Sequence, residues 1–237
     1  MRGDAVGSAL FITVERNKRI LRPLQIIRTR RLKRSVAYSR IDESLARIHL
    51  FDFQGNGRRD LLDAWHDLQS TGTKGFVFDI RGNRGGSIQT LIDVVSLFLP
   101  KSELILGGIN TNNGRLTRIF SEGEGELRET PFAILTDNNT VSAGDSFAGI
   151  MKEYERAEIV GDTTRGKGVG QTYFGLSRGN ILLVTNVEFF VGPNLRKVDG
   201  IGVPPDYFVK SRKREKGKTY KDDALIKALE ILREKIK

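Results

Sequence analysis

Short runs of β-branched and aromatic residues alternate along the chain with longer stretches in which apolar residues recur at every third or fourth position. Residues 10–15 (LFITVE) and 24–28 (LQIIR) read as strands joined by a polar turn around Asn17 and Lys18. Residues 35–40 and 45–53 (LARIHLFDF) form a second strand pair about the turn residues Asp42, Glu43 and Ser44. After the break at Gly55, Asn56 and Gly57, the apolar positions Leu61, Leu62, Trp65 and Leu68 keep helical spacing, and the helix ends near Gly72. Residues 75–80 (GFVFDI) predict a short buried strand and RGNRGG a close glycine turn. Ser87 then caps a helix that buries Ile88, Leu91, Ile92, Val95 and Phe98 and stops at Pro100. Residues 104–106 and 116–120 read as strands, and residues 121–129 as an acidic surface loop.

The unit of strand, turn and helix recurs at residues 132–135, whose apolar run leads through a polar turn to the helix after Ser142, with Phe147, Ile150, Met151 and Tyr154 on one face. Residues 157–160 and 181–190 are further strands. Beyond a basic linker, residues 210–221, the stripe Ala224, Leu225, Ala228, Leu229, Leu232 and Ile236 marks a last helix. Short buried strands alternating with helices, preceded by hairpins, predict an α/β domain.

Composition narrows the picture. At 237 residues and 38% hydrophobic, the chain is long enough to bury a substantial core. It has no run of about 18 apolar residues such as a membrane span requires, and Met1 leads into a polar segment rather than a signal peptide, so a soluble chain is expected. Zero cysteines exclude disulfides, thiolate metal sites and cysteine nucleophiles, and leave the compartment open. The net charge of +10 sits at the ends: residues 1–40 hold 11 Lys/Arg against 2 acids, residues 210–237 hold 11 against 5, and the middle is left at −5. The run RTRRLKR, residues 28–34, has neither aromatic interleaving nor a recognition-helix pattern. It reads as charge that discourages edge pairing, and no nucleic-acid partner is expected. His49 and His66 have no metal-ligand partners nearby in sequence, and residues 2–4 spell RGD by chance.

The chemistry concentrates in residues 137–171. Ser142 stands between an apolar strand and an amphipathic helix, at a helix mouth where unpaired N–H groups point outward. A serine hydroxyl needs a base within hydrogen-bond reach, and neither histidine is suitably placed. A lysine serves when neutral, the form that desolvation favours. Lys167 lies on a glycine-flanked loop, and Gln171, four residues on, offers a donor and an acceptor without charge. In an extended stretch positions 167 and 171 face the same side. The N–H of Ala143, with that of Gly86 in the glycine turn, would form a pair able to bind a developing oxyanion.

Two simpler readings compete. Ser142 and Asp145 form an S-x-x-D pattern, so the serine taken alone is best read as a helix cap. Residues 161–168 (GDTTRGKG) nearly match the phosphate-binding pattern G-x-x-x-x-G-K-[ST], but Gly168 replaces the hydroxyl residue and VGQTYFGL follows in place of a helix.

Four segments in order resolve the choice: FDIRGNRGG (78–86), NNTVSAGDSFAG (138–149), ERAEIVGDTTRGKGVGQ (155–171) and DGIGVPPD (199–206). Together they resemble the carboxyl-terminal processing, or tail-specific, proteases from about residue 35 onward. The resemblance implies a serine/lysine peptidase on a crotonase/ClpP-like α/β core of repeated strand-strand-helix units. It places Ser142 as nucleophile, Lys167 as general base, Gln171 as its orienting partner, and Gly86 and Ala143 as oxyanion-hole donors. The interval of 25 residues from Ser142 to Lys167 is the family's own.

The resemblance requires no metal or organic cofactor. It implies protein or peptide substrates with accessible C-terminal tails, cleaved near the C-terminus through an acyl-enzyme, and export to a bacterial envelope or organelle lumen. Where the family carries Ser-Ala-Ser-Ala-Ser-Glu this chain has Thr140, Val141, Ser142, Ala143, Gly144 and Asp145, and Arg84 replaces the proline of Asn-Pro-Gly-Gly. On this reading residues 1–16 are the C-terminal remnant of a PDZ-like module, residues 17–209 the protease core, and residues 210–237 a basic linker and terminal helix. The alternative is a catalytically silent or truncated relative that binds peptides or other ligands; the sequence does not set the oligomeric state.

Overall fold

A computed structural model describes residues 7–28, 34–210 and 221–237. Residues 2–4, most of the basic run 28–34 and most of the linker 210–221 lie outside the described residues. The chain divides into two compact units, Met1–Arg34 and Ser35–Lys237.

The first unit contains β1 (Ala9–Ile12), β2 (Glu15–Arg16), β3 (Arg19–Ile20) and β4 (Leu24–Ile27). β1 pairs antiparallel with β4, and β2 with β3 across Asn17 and Lys18. Both turn residues have positive φ, 53° and 60°, as the tightest hairpin turns demand. The expected strand over residues 10–15 therefore breaks after Ile12, where the chain leaves one pairing to enter the next.

The second unit runs β5 (Val36–Arg40), β6 (Leu45–Leu50), α1 (Gly57–Ser70), β7 (Gly75–Asp79), α2 (Ile88–Val95), β8 (Leu104–Asn110), β9 (Leu116–Phe120) and β10 (Phe132–Thr136). It continues with α3 (Ala143–Glu153), β11 (Glu158–Gly161), β12 (Val169–Gly175), β13 (Ile181–Val191), β14 (Arg196–Lys197), β15 (Tyr207–Phe208) and α4 (Asp223–Lys235). Six strands form one sheet in the order β15-β11-β10-β7-β6-β5, parallel throughout except for β5, which hairpins onto β6. A second, antiparallel sheet follows the order β12-β13-β8-β9, with β14 added to β13.

β7 and β10 are buried at every position, because helices cover both faces of the parallel sheet. Their alternating side chains divide between two cores. Phe76, Phe78, Phe132 and Ile134 enter the larger one, shared with α1, α2 and α3. Val77, Ala133 and Leu135, with Leu45 and Val160, meet Ala228, Leu229 and Leu232 of α4 on the other face. The terminal helix is thus a full layer of the domain. Asp222 caps it, its Oδ1 accepting from Leu225 N–H at 3.1 Å. The α/β core expected from the sequence is the one observed.

One expected element is shorter than its apolar pattern. Ser87 caps α2, its Oγ accepting from Thr90 N–H at 3.1 Å, but the helix ends at Val95 instead of running to Pro100. Leu97 and Phe98 leave it through tight turns onto Val94 and Val95 carbonyls and stay buried, so apolar spacing continued past the helix itself.

Packing of α4 gives a direct stability test. Leu232→Ala, at a fully buried position, is expected to cost about 2–5 kcal/mol. Ile226→Ala, on the exposed side of the same helix, should cost less than about 1 kcal/mol. Urea unfolding of both variants measures the difference.

Candidate active site

Parallel strands end on one edge, and three neighbours in this sheet, β7, β10 and β11, deliver three adjacent loops there. β7 leads into the glycine turn, residues 80–87; β10 into residues 137–142; β11 into residues 162–168. The first two loops are bonded to each other. Val141 N–H donates to Asn83 O at 2.8 Å, Thr140 Oγ1 to Ile80 O at 2.9 Å, and Gly82 N–H to Asp137 Oδ1 at 2.9 Å. Asn83, fully buried, fixes the turn internally: its Oδ1 accepts from Gly85 N–H and its Nδ2 donates to Leu50 O, both at 2.8 Å. Gly85 has φ 86°, and a Cβ there would come within 2.8 Å of both Ser142 Cβ and Ala143 N. Only glycine lets the turn lie this close to the serine.

Ser142 itself has φ 61° and ψ −116°, a conformation that costs a non-glycine residue about 1–3 kcal/mol. A strained residue between a strand and a helix is how a hydroxyl is lifted clear of its neighbours at the end of a sheet. The restraint is Asp145. Its wholly buried carboxylate accepts from Ser142 N–H at 2.5 Å, as the S-x-x-D pattern predicts, but also from Gly166 N–H at 2.7 Å and Lys167 N–H at 3.1 Å. One side chain therefore holds the serine turn and the lysine loop together.

The lysine loop is backed by the DGIG segment. Gly166, at φ 80°, would place a Cβ 2.6 Å from Gly202 N. Gly168 N–H donates to Asp199 Oδ1 at 2.9 Å, and Val203 N–H to Thr164 Oγ1 at 2.8 Å. The loop then enters β12, a strand, so the helix that a phosphate loop needs is absent at this position. Lys167 Nζ donates to Gln171 Oε1 at 3.2 Å, which bears out the shared side expected of positions 167 and 171. A β-bulge between Gly170 and Gln171 shifts the register, bringing Gln171 opposite Thr185, and Gln171 Nε2 donates to Thr185 Oγ1 at 3.2 Å.

Ser142, Ala143, Gly86, Lys167 and Gln171 line a single cavity of about 220 Å³, walled on its apolar side by Ile88, Leu91, Leu106, Val169 and Phe189. The five residues singled out in the sequence are thus brought together. The two departures are accommodated: Arg84 is exposed, and Gly144 packs where a Cβ would lie 3.2 Å from Asn83 O.

Sequence reasoning missed the support. Arg81 Nε and Nη2 bind Asp79 at 2.9 and 2.7 Å, while Nη1 and Nη2 bind the Asp222 carboxylate at 2.9 and 2.8 Å; Arg47 also pairs with Asp79. Burial on its own raises both carboxyls. The Arg81 guanidinium, joined by Arg47 at Asp79, outweighs it and holds both below the ordinary carboxylate range. Arg81 thereby ties the glycine turn to the cap of α4. Asp79, Arg81, Asn83 and Asp145 all stand in the segments that carry the family resemblance, which was the available signal; for Thr185 there was none.

The model of peptidase family S41 matches residues 44–209. A carboxyl-terminal-processing protease of Synechocystis is 33% identical over 72% of this chain and 39% of its own length. A carboxy-terminal-processing protease of Bartonella bacilliformis is 31% identical over 93% of this chain and 51% of its own. The chain thus spans about two-fifths to one-half of these relatives. Among solved structures, a photosystem II D1 C-terminal processing protease superposes with a TM-score of 0.66 at 24% identity, over 86% of this chain and 56% of that one. A lipoprotein of Streptococcus agalactiae gives the same TM-score at 18% identity, over 86% and 71%. These two show the shared fold.

Two measurements test the supports. Asp145→Asn turns one acceptor into a donor facing N–H groups and should cost about 1–3 kcal/mol in urea unfolding. The depressed Asp79 carboxyl contributes stability that is present above its unfolded value, about 3.9, and is lost as pH falls through its lower folded value. Below about pH 4 the wild type should therefore lose stability more steeply than Asp79→Asn.

Proposed function

Because the chain belongs to peptidase family S41, we propose that it is a serine endopeptidase that cleaves polypeptides near their C-termini with Ser142 and Lys167. The observation that carries the mechanism is the Lys167–Gln171 hydrogen bond inside a cavity that Ser142 also lines. Gln171 Oε1 accepts a hydrogen from Nζ whether the amine is neutral or charged, so it orients the base without fixing it in the protonated form. A glutamate there would favour the ammonium.

In the proposed reaction the Ser142 Oγ attacks the scissile carbonyl carbon while Lys167 Nζ takes the hydroxyl proton. The N–H groups of Gly86 and Ala143 receive the developing oxyanion, each worth about 3 kcal/mol of transition-state stabilisation. As the tetrahedral intermediate collapses, the C–N bond breaks and Lys167 returns its proton to the leaving amine. Water, deprotonated by Lys167 Nζ, then attacks the ester carbonyl; the C–O bond to Ser142 breaks, Lys167 returns the proton to Ser142 Oγ, and the acid product leaves. None of these steps calls for a metal or an organic cofactor.

Cleavage close to the substrate's C-terminus rests on the names of the curated relatives, several of which are carboxyl-terminal-processing enzymes. An Arabidopsis relative is named chloroplastic, and for this chain we infer an exported or lumenal setting. Among the described residues no helix is long and apolar enough to cross a membrane.

Ser142→Ala and Lys167→Ala should each lower kcat on an unstructured protein with an apolar C-terminus by at least about 10³-fold. Circular dichroism and the urea midpoint should remain close to wild type. Products are mapped by mass spectrometry, and undiminished turnover in either variant contradicts the assignment. Tight peptide binding by a wild type that cuts nothing would favour a binding protein instead.

A further inference from the structure

β12 and β13 leave the site as a ribbon whose composition is unlike the rest of the chain. Residues 169–185 contain one charged residue, Arg178, in a protein that is 29% charged. Tyr173, Phe174, Leu176, Ile181, Leu182 and Leu183 are all substantially exposed, from 47 to 69%. Apolar exposure concentrated in this way marks a surface that is covered in use.

The strand register shows which of these residues share a face. Gln171 lies opposite Thr185, Tyr173 opposite Leu183, and Gly175 opposite Ile181. Directly paired residues and every second position along a strand point to the same side. The face that holds Gln171, and through it Lys167, therefore continues outward as an apolar stripe of Tyr173, Leu183 and Ile181. Tyr173 is the junction, for it also lines the cavity. From Gln171 to Gly175 the strip runs about 14 Å, the length of roughly four extended residues. Among the described residues, β12 is also an edge strand, bonded to β13 alone, so its outer N–H and C=O groups remain available for a further strand.

We propose that this face, with the free edge of β12, is a docking strip for an extended, uncharged, apolar segment of the polypeptide substrate, lying next to the scissile bond and spanning about four residues. The proposal rests on the endopeptidase reading. Continuity with the cavity selects the substrate as occupant, because a second copy of the chain seated on Tyr173 would cover the cavity that Tyr173 lines. Near-absence of charge selects an apolar segment. A single β-bulge at Gly170 and Gln171 separates the strip from the lysine, so a segment bound there would run directly into the proposed reacting groups.

The test uses the full chain carrying Ser142→Ala for binding and the unaltered chain for cleavage. A labelled short peptide is compared with the same peptide extended by four residues at either end, the extension being Val-Leu-Val-Phe or Glu-Ser-Asp-Ser. Fluorescence anisotropy should show the apolar extension at one end lowering Kd roughly tenfold or more, and the acidic extension giving no gain. Leu183→Lys combined with Ile181→Lys should erase that gain and leave the Kd of the short peptide unchanged. The milder pair Leu183→Thr and Ile181→Thr, which keeps strand propensity, should reduce the gain if the lysine pair misfolds. Equal affinity for all extensions, or equal loss for short and long peptides, overturns the proposal. A change of oligomeric state in the lysine variant by sedimentation velocity, with the apolar gain intact, also overturns it and gives the face to a second copy. If the gain is present but the unaltered chain cuts none of the peptides, the strip stands and the endopeptidase reading falls.

Discussion

The buried carboxylate of Asp145 is the constraint on which the rest of the site depends. A charge removed from water must be matched by donors, and here three backbone N–H groups from two separate loops supply them. It also lies in the first turn of α3, where the helix dipole favours a negative charge. Neither loop has a reason of its own to adopt its conformation. Ser142 is strained at positive φ, and the Gly166–Lys167 segment turns sharply against the DGIG backbone. Both conformations persist because each satisfies a charge that would otherwise be stranded.

Topology explains why so few side chains suffice. β7, β10 and β11 are adjacent and parallel, so the glycine turn, the serine turn and the lysine loop emerge side by side before any side chain acts. Polar contacts then only set the final geometry: Asn83 and Thr140 between the first two loops, Asp145 between the second and third. Arg81 extends the frame to the other face of the sheet, where Asp222 begins α4. The far-side helix is thereby linked to the turn that carries Gly86, through two ion pairs that share one guanidinium.

Much of this was legible in the sequence because its causes are local. The apolar runs of β7 and β10, the amphipathic spacing of α1 and α4, and the glycine turn all follow from short-range patterns. Ser142 alone could only be read as a cap, and that reading was half the truth: Asp145 does accept its N–H, but the same carboxylate reaches 21 residues onward to Gly166. No local rule announces a second use. Thr185 was illegible for a related reason. Its contact with Gln171 depends on a bulge that moves the pairing by one residue, and pairing register between distant segments is not written in either strand. α2 ends before its apolar spacing does because Leu97 and Phe98 remain in the core after the backbone has left the helix, so burial outlasts helical periodicity.

The proposed mechanism requires Ser142 to form a covalent bond to the substrate and Lys167 to enable it. Rapid quenching of the protein with an activated peptide ester, followed by mass spectrometry of the digested chain, reads that bond directly. The expected result is an acyl group on Ser142 in the unaltered protein, its near absence in Lys167→Ala, and no acyl group elsewhere. An acyl group on another residue, or continued turnover with Ser142 unmodified, would contradict it.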